Sequence, residues 1–432
     1  MSDHNDSEVP RNRSATPRFS RRRFVETTAA AGALAATAGC MGGGGGGDDV
    51  ITIGASTSTT GPTATEGVTM KEGYDFWIHQ INEGNSLLAD DDEGLLGREV
   101  ELVHYDDQSD PSRGVNLYQR LINEDEVDVL LGPYGSTVSS AVIPIIEDAE
   151  MACIMPMMSD TSVLEERDVQ YTTQAIAPAY TYVRSAIDIA VENGAETIAV
   201  VYEDAAFPTS VASGHIPYAE EQGLEVVHEE AYPTDINDYS SVLNTVAEED
   251  PDIVMGGGYT EDAIGLTQAA QSVGLSPGIF AWVVGGMAPA FAESVGDAAL
   301  GVTGDLFWAP FFELPYNQEF TEGFMDLFSE EYSDPGEVDY HAAGGYAGCL
   351  VMEQAIRNVG EIDQTAIAEQ LHEIEMEIPF ANGVYEVDDQ GIQVGQTPSL
   401  GQWQEGEDGM TQEAVRPAEY ATADPIYPHP GW

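Results

Sequence analysis

The chain has 432 residues, and its 14 Lys and Arg stand against 76 Asp and Glu, a formal net charge of −62. This excess excludes nucleic acid as a general partner, because phosphate backbones are bound by clusters of Lys and Arg. Hydrophobic residues still make up 42% of the sequence, so the chain can bury a core, and its length allows two or three domains. A folded chain with this self-repulsion is typical of concentrated salt, which screens charges over a few Å. The charge therefore indicates an extreme halophile.

Residues 1–39 have the layout of an export signal. Three arginines, Arg21 to Arg23, precede the uncharged stretch 27–38, and a basic region before a short apolar region is typical of a signal peptide. The paired arginines before Phe24 resemble the twin-arginine signal, which exports folded proteins. The apolar stretch is shorter than the ~20 residues that span a bilayer. We therefore expect residues 1–39 to be removed on export.

Cys40 is the predicted lipid anchor. Small residues precede it, and the glycines Gly42 to Gly47 follow it closely, an arrangement that resembles a lipoprotein processing site. Residues 40–49 would then form a lipidated, Gly-rich tether. The alternative is a chance cysteine in an alanine-rich segment. With the anchor, the mature protein is expected on the extracellular face of the cell membrane.

The other two cysteines, Cys153 and Cys349, lie in an apolar strand-like run and on a predicted helix. Two buried free thiols are favoured over a disulfide, because free cysteine is among the most buried residue types. No Cys/His spacing resembles a zinc site. We predict neither a metal nor a cofactor.

From residue 50 onward, short apolar strands alternate with helical patterns. The predicted strands are Val50–Ala55, Glu99–Tyr105, Val127–Leu131, Ala152–Met155, Thr197–Tyr202, Leu224–His228, Asp252–Gly256 and Ile279–Val284. The predicted helices between them are Val68–Asn82, Ser112–Asn123 (with Ser112 as a cap), Ser136–Asp148, Tyr180–Glu192, Ser210–Gln222, Ser240–Glu249 and Asp262–Val273.

This alternation predicts an α/β fold with parallel sheets covered by helices on both faces. The eight strand–helix units fall into two groups of four around residue 173, which predicts two doubly wound lobes rather than one sheet. The rest of the chain, with helices at 317–332, 341–359 and 364–373 and a strand-like run at 383–387, is too short for a third lobe. It is expected to complete the other two.

The loops after the predicted strands indicate binding rather than catalysis. In open parallel sheets, ligands lie beyond the carboxyl ends of the strands and against helix N-termini. Here those loops carry Gly, Ser, Thr and aromatic residues, and they lack a nucleophile–base pair, an HExxH, a phosphate-binding loop and a GxGxxG. The acidic runs 90–93 and 106–107 favour a solvated face over a cation site. We therefore predict that the protein is not an enzyme.

A series of short motifs follows in fixed order over residues 50–400. The motifs are Ile53-Gly54-Ala55, Thr60-Gly61-Pro62, Leu96–Leu102, Tyr105–Pro111, Leu131–Tyr134, Val201–Asp204 and Gly257-Gly258-Tyr259. This series resembles the substrate-binding proteins of ABC importers in the leucine/isoleucine/valine-binding family. The resemblance implies the type I periplasmic-binding-protein fold, in which two lobes joined by three crossovers close on a ligand. It implies lobe 1 at 50–173 and 303–379, lobe 2 at 174–302 and 380–415, and a C-terminal tail at 416–432.

Hydroxyls and helix amides at two loops of lobe 1 are the predicted carboxylate site. Ser136 and Thr137 open a helix, so their backbone N–H groups and the Ser136 hydroxyl can hold an anion. Ser159 follows the next strand, and the family binds the ligand's α-carboxylate with Ser or Thr at both places. The alternative for both serines is simple helix capping.

An apolar wall and aromatic covers complete the predicted site. Met157 beside Ser159 would shape the wall. Phe207 and Tyr259 match family positions that cover the ligand from lobe 2. Trp282, Trp308 and Tyr340 are further aromatic candidates, for which core packing is the default.

Val283 marks a departure from the family pattern. Amino-acid binders of the family place a carboxylate in this stretch, where it pairs with the ligand ammonium, and a buried unpaired ammonium is costly. Either Glu66, Glu203, Glu261 or Asp262 takes its place, or the ligand lacks an ammonium.

The resemblance implies a monomeric receptor that delivers a branched-chain amino acid, or a related small carboxylate or amide, to a membrane permease and ATPase pair. Two alternatives remain at this point. One is a receptor that presents its ligand to a chemotaxis or sensory transducer. The other is an exported enzyme, which the lack of a catalytic constellation disfavours.

Overall fold

The computed structural model describes residues 50–89, 93–406 and 409–432. The expected signal peptide and the expected lipid anchor at Cys40 lie outside these residues. In the part of the chain that is described, no helix is long and apolar enough to cross a membrane.

The N-terminal half builds a parallel sheet with helices on both faces. Its strands are β1 (Val50–Thr57), β2 (Glu99–Asp106), β3 (Val129–Leu131), β4 (Cys153–Met155) and β5 (Thr172–Gln174). Their order is β2-β1-β3-β4-β5, and all the pairings are parallel. The helices of this half are α1 (Ala64–Asn82), α2 (Pro111–Asn123), α3 (Ser136–Asp148) and α4 (Ser162–Glu166).

The second sheet begins with a parallel set of strands and ends with an antiparallel edge. Its strands are β6 (Thr197–Glu203), β7 (Glu225–Tyr232), β8 (Ile253–Gly257), β9 (Ile279–Ala281), β10 (Thr303–Leu306), β13 (Ser399–Glu405) and β14 (Met410–Arg416). The order is β14-β13-β10-β9-β8-β6-β7, with β13 and β14 antiparallel. The short strands β11 (Met376–Glu377) and β12 (Val384–Tyr385) pair only with each other.

The remaining helices are α5 (Arg184–Glu192), α6 (Ala206–Glu221), α7 (Ser240–Glu249), α8 (Thr260–Val273), α9 (Pro289–Val295), α10 (Asn317–Leu327), α11 (Tyr340–Val359) and α12 (Gln364–Glu373). Both α1 and α11 cover one face of the first sheet, and α2 with α3 covers the other. On the second sheet, α5 and α6 cover one face and α7 to α9 the other. We call the first sheet with its helices lobe 1 and the second lobe 2.

Three crossover segments join the lobes. The first, 175–183, follows β5; the second, 307–316, follows β10; the third, 386–398, leads from β12 to β13. The side chain of Gln396 ties the first segment to the third, since it accepts from the Ala177 N–H at 2.9 Å and donates to the Ala175 carbonyl at 2.8 Å. One apolar core runs through both lobes at this hinge.

The predicted two-lobed α/β architecture is confirmed, and the eight predicted strands are all present. The structure adds strands that the pattern did not predict: β5, β10, β11, β13 and β14. Because β10 pairs with β9 and β13, the second crossover follows Leu306, and the expected boundary at 302/303 lies one strand too early. Residues 380–392 pack on lobe 1, where Tyr385 donates to the Leu371 carbonyl at 2.7 Å, so the expected return to lobe 2 at residue 380 is also too early.

Two local expectations are wrong. Ser112 does not cap α2, because the Asp110 carboxylate does so by accepting from the N–H groups of Ser112 at 2.8 Å and Arg113 at 3.1 Å. The strand expected to reach Val284 ends at Ala281. The two thiols agree with expectation, since Cys153 and Cys349 are free and buried.

Candidate ligand-binding site between the lobes

A cavity lies between the two lobes at the carboxyl ends of their parallel strands. It encloses about 270 Å³ that no atom fills, part of it open to solvent. It is lined by Tyr134, Gly135, Ser136, Met157, Ser159, Ile176, Tyr182, Phe207, Tyr259, Val284 and Tyr340.

Lobe 1 contributes the N-terminus of α3. Gly135 precedes the helix with φ of 81°, a conformation that glycine adopts without steric cost. The buried Ser136 hydroxyl accepts from the backbone N–H groups of Ser159 at 3.2 Å and Asp160 at 3.0 Å, which ties the loop after β4 to this helix. The hydroxyl hydrogen of Ser136 remains free to donate, and the first N–H groups of a helix have no acceptor within it. Several donors therefore converge on this end of the cavity.

Tyr134, next to the helix, is held by a buried chain of hydrogen bonds. Its hydroxyl lies 3.0 Å from His341 Nε2, and His341 Nδ1 lies 2.5 Å from Asp339 Oδ1. A carboxylate only accepts, so Nδ1 carries the proton. This chain fixes the orientation of the Tyr134 ring in the cavity wall.

Aromatic rings from lobe 2 close the cavity. Phe207 is the second residue of α6 and Tyr259 directly precedes α8; their ring centroids lie 5.5 Å apart. Tyr259 also meets lobe 1, because its ring lies 6.2 Å from the Tyr134 ring and its hydroxyl would lie 3.5 Å from a Cβ placed at Gly135. Tyr182 of the first crossover packs 5.9 Å from Phe207. The lobes are thus in contact around a closed site.

None of the lining residues carries a charge at neutral pH. They include no Asp, Glu, Lys, Arg or His, and burial raises the pKa of the phenols of Tyr134, Tyr182, Tyr259 and Tyr340. The Tyr182 hydroxyl is buried and interacts with Ser159 without forming a hydrogen bond of good geometry. A ligand therefore meets neutral hydroxyls, a helix N-terminus and apolar surface.

The four acids that could replace the missing carboxylate at Val283 all lie outside the cavity lining. Asp262 caps α8 by accepting from the Tyr259 N–H at 2.9 Å, and Glu261 is exposed. Glu66 accepts from Thr260. Burial raises the pKa of Glu203 to about 7, and one of its oxygens has no hydrogen-bond partner among the described residues. Glu203, Glu66 and Asp262 nevertheless act electrostatically on Tyr259.

The structure brings most of the predicted site residues together. Ser136, Met157, Ser159, Phe207 and Tyr259 line the cavity; their contact with a ligand stays a prediction.

Thr137 and Val283 do not line the cavity. Thr137 is exposed, because successive helix positions point about 100° apart. Val283 is buried in the core with φ of 34°, and its carbonyl accepts from the Asp305 N–H at 3.1 Å. Its neighbour Val284 faces the cavity instead.

Sequence reasoning missed several lining residues. Ile176 and Tyr182 lie on a crossover, where no periodic pattern marks the inner face. Tyr134 belongs to the motif Leu131–Tyr134, but nothing in the sequence assigned it a role, and Tyr340 was expected to pack in the core. Both residues line the cavity. Of the other two aromatic candidates, Trp282 and Trp308 are buried outside the lining.

Comparison with known proteins agrees with the fold. The Periplasmic binding protein family matches residues 50–408. Leu/Ile/Val-binding protein homolog 7 of Brucella abortus is 25% identical over 374 residues, which cover 82% of this chain and 90% of that protein.

Solved structures show the same fold. A leucine-binding protein of Thermotoga maritima superposes with a TM-score of 0.72 at 21% identity, over 84% of this chain and 98% of that chain. A solute-binding protein of an ABC transporter from Rhodopseudomonas palustris BisB5, in complex with 3,4-dihydroxybenzoic acid, gives 0.73 at 20% identity, over 85% and 97%. These relatives are binding proteins rather than enzymes, in agreement with the predicted absence of catalysis. The chain belongs to the periplasmic binding protein family, and it has the two-lobed type I fold of its solute-binding members.

Proposed function

We propose that the protein is the extracytoplasmic receptor of an ABC importer and that it captures a small carboxylate whose remainder is uncharged and apolar or aromatic. One observation carries the proposal: the closed cavity combines a helix N-terminus and free hydroxyls with apolar walls, and no lining residue is ionised. Capture proceeds by closure of the lobes about the three crossovers, with both lobes contributing to the closed site.

The carboxylate is placed at the N-terminus of α3. The helix dipole and the first N–H groups favour an anion there. The oxygen of the Ser136 hydroxyl already accepts hydrogen bonds from two backbone N–H groups, so its hydrogen donates to the ligand. The Tyr182 hydroxyl, which lacks a well-formed hydrogen bond, is a further donor. These neutral donors can bind an anion without burying a counter-ion.

The rest of the ligand packs on the apolar side of the cavity. Met157, Ile176, Phe207 and Val284 supply this surface, and an ammonium there would be desolvated without a paired charge. Related structures support the class of ligand: two solute-binding proteins of Rhodopseudomonas palustris are described in complex with benzoate and 4-hydroxybenzoate.

A branched-chain amino acid is the second candidate ligand. Glu66, Glu203 and Asp262 surround Tyr259 closely enough to act on it electrostatically, so a negative potential favours a cation at that end. A structurally similar protein of Streptococcus pneumoniae is described in complex with isoleucine. On this alternative, one of the three acids, although outside the cavity lining, attracts the ligand ammonium electrostatically.

Calorimetric titration of the mature domain in molar KCl decides between the two ligands. Leucine and 2-ketoisocaproate share a carboxylate and a branched side chain and differ in the ammonium, and 4-hydroxybenzoate tests the aromatic class. The proposal predicts binding of the keto acid or the benzoate and weak binding of leucine. Tight binding of leucine alone would reject the uncharged remainder and support the amino-acid candidate. Absence of binding by all three would reject both.

The importer role implies a membrane permease and an ATPase as partners, and the proposal includes attachment to the outer face of the membrane through Cys40, as a monomer. Its support is the order of basic region, apolar stretch, small residues and cysteine at 21–40. A Cys40→Ser variant expressed in a halophilic host should leave the membrane fraction and appear in the medium. Retention of the variant in the membrane would contradict the anchor.

A further inference from the structure

A hydrogen bond joins the two lobes next to the cavity. Glu66, on α1 of lobe 1, accepts from the Thr260 hydroxyl at 2.8 Å and from the Thr260 backbone N–H at 3.4 Å. Thr260 is the first residue of α8 in lobe 2. Across the described part of the chain, no other side-chain hydrogen bond joins the lobes outside the crossover segments. Both side chains are buried, each with 4% exposure.

The surroundings of Glu66 fit a bond that depends on closure. Neither residue lines the cavity, yet Glu66 acts electrostatically on three tyrosines that do: Tyr134, Tyr259 and Tyr340. Burial raises the pKa of the Glu66 carboxyl, His341 lowers it, and Asp339 raises it. A carboxylate at the N-terminus of α8 is favoured by the helix dipole. Separation of the lobes would remove the burial and the bond together.

We propose that Glu66 and Thr260 form a latch that holds the lobes closed and thereby sets how long the ligand stays bound, although neither residue touches the ligand. The proposal rests on the proposed function only in assuming that a ligand binds between the lobes. The bond between Glu66 and Thr260 is a property of the two lobes and does not depend on which ligand binds.

The latch is expected to act on release rather than on capture. The bond exists only when the lobes meet, so its loss destabilises the closed form relative to the open form. The same loss shifts the ligand-free equilibrium between open and closed molecules toward the open form, which has the larger radius. Hydrogen bonds to charged groups are among the stronger ones in proteins. Removal of the Thr260 hydroxyl should therefore raise the dissociation rate by about tenfold, with little change in the association rate.

The variants separate the bond from the packing. Thr260→Val keeps the shape and removes the hydroxyl donor. Glu66→Ala removes the acceptor, whereas Glu66→Gln keeps an acceptor oxygen and should retain most of the latch. Thr245→Val is the matched control, because Thr245 is exposed on α7 and bonds only within its own helix. Thermal unfolding of each variant identifies any that fails to fold.

Two readouts keep the test independent of the ligand's identity. Stopped-flow fluorescence with the carboxylate that binds best gives the two rate constants, and X-ray scattering of the ligand-free protein gives the radius of gyration. We expect Thr260→Val and Glu66→Ala to release ligand about tenfold faster and to have a larger radius than Thr245→Val. Rates within about twofold of the control, together with an equal radius, would overturn the latch. If no carboxylate binds, the proposed function fails, and the radius alone then decides: a larger radius supports the latch and an equal radius overturns it.

Discussion

Asp305 offers a test of the hinge through the pH dependence of stability. It lies on β10, just before the second crossover, and is 1% exposed. One carboxyl oxygen accepts from the Val183 N–H at 2.9 Å, and the other has no hydrogen-bond partner among the described residues. Burial raises the pKa of Asp305 to about 8. The folded protein therefore holds this carboxyl in its neutral form at neutral pH.

The size of the effect follows from the pKa difference. An unfolded aspartate titrates near pH ~3.9, and each unit of difference corresponds to ~1.36 kcal/mol. Below pH ~4 the carboxyl is protonated in both states and does not disfavour folding. As the pH rises from ~4 to ~8, only the unfolded chain ionises, and the folded protein loses up to ~1.4 kcal/mol per unit. Between pH 5 and pH 7 this amounts to about 3 kcal/mol.

Asp305→Asn removes this dependence and keeps an oxygen that can accept from Val183. We expect the free energy of unfolding of the variant, relative to wild type, to increase by about 3 kcal/mol between pH 5 and pH 7. Urea denaturation in molar KCl at several pH values measures the difference, in which all other titrating groups cancel. The buried amide adds an offset that does not depend on pH. A difference that stays constant with pH, or that falls as pH rises, would refute the reasoning.

Three further predictions follow from single features of the site and the core. Gly135→Ala places a Cβ at φ of 81° and 3.5 Å from the Tyr259 hydroxyl, so calorimetry should show about tenfold weaker ligand binding. Its control is Gly194→Ala, which has φ of 90° and no atom within 4 Å of the added Cβ. Both variants should lose ~1–3 kcal/mol of stability, but Gly194→Ala should keep the wild-type affinity; equal affinity of the two variants would contradict this prediction. Tyr259→Phe should bind ligand within about threefold of wild type if the ring acts through packing, and a much larger loss would assign its hydroxyl a direct contact. In a Cys40→Ser background, Cys153 and Cys349 should react with a thiol reagent only after unfolding, because burial raises the pKa of both thiols; rapid reaction of the native protein would contradict their burial.

The parts of the fold that follow from sequence are those with strong periodicity. α3, α7 and α12 have the predicted bounds, because a clear apolar face marks each of them. The start of α12 is also marked by Asp363, whose carboxylate accepts from the Ala366 N–H. β5 has only three residues and no alternation. β13 carries polar Gln402 and Gln404 on either side of Trp403, since strands in antiparallel pairs need not be apolar on both faces. Such strands are defined by their partners rather than by their own composition.

The site residues show the same difference between positions that follow from sequence and positions that depend on partners. Ser136, Ser159 and Tyr259 follow strands or open helices, so the topology alone places them at the cleft. Tyr182 and Ile176 come from a crossover, whose path depends on how the lobes meet. Val283 shows the limit of reasoning by position, because a turn with positive φ directs its side chain into the core and Val284 into the cavity.

The ligand carboxylate is proposed to lie at the N-terminus of α3, between Ser136 and Ser159. The most direct test is a calorimetric titration of three proteins, wild type, Ser159→Asp and Thr137→Asp, with the best-binding carboxylate in molar KCl. The two variants add the same charge within the same region. Ser159 lines the cavity, whereas Thr137 is exposed to the salt, which screens charges beyond ~3 Å. Ser159→Asp should therefore lose binding by at least about a hundredfold, because like charges repel at short range, and Thr137→Asp should bind nearly as wild type. Unchanged binding by Ser159→Asp would place the carboxylate elsewhere.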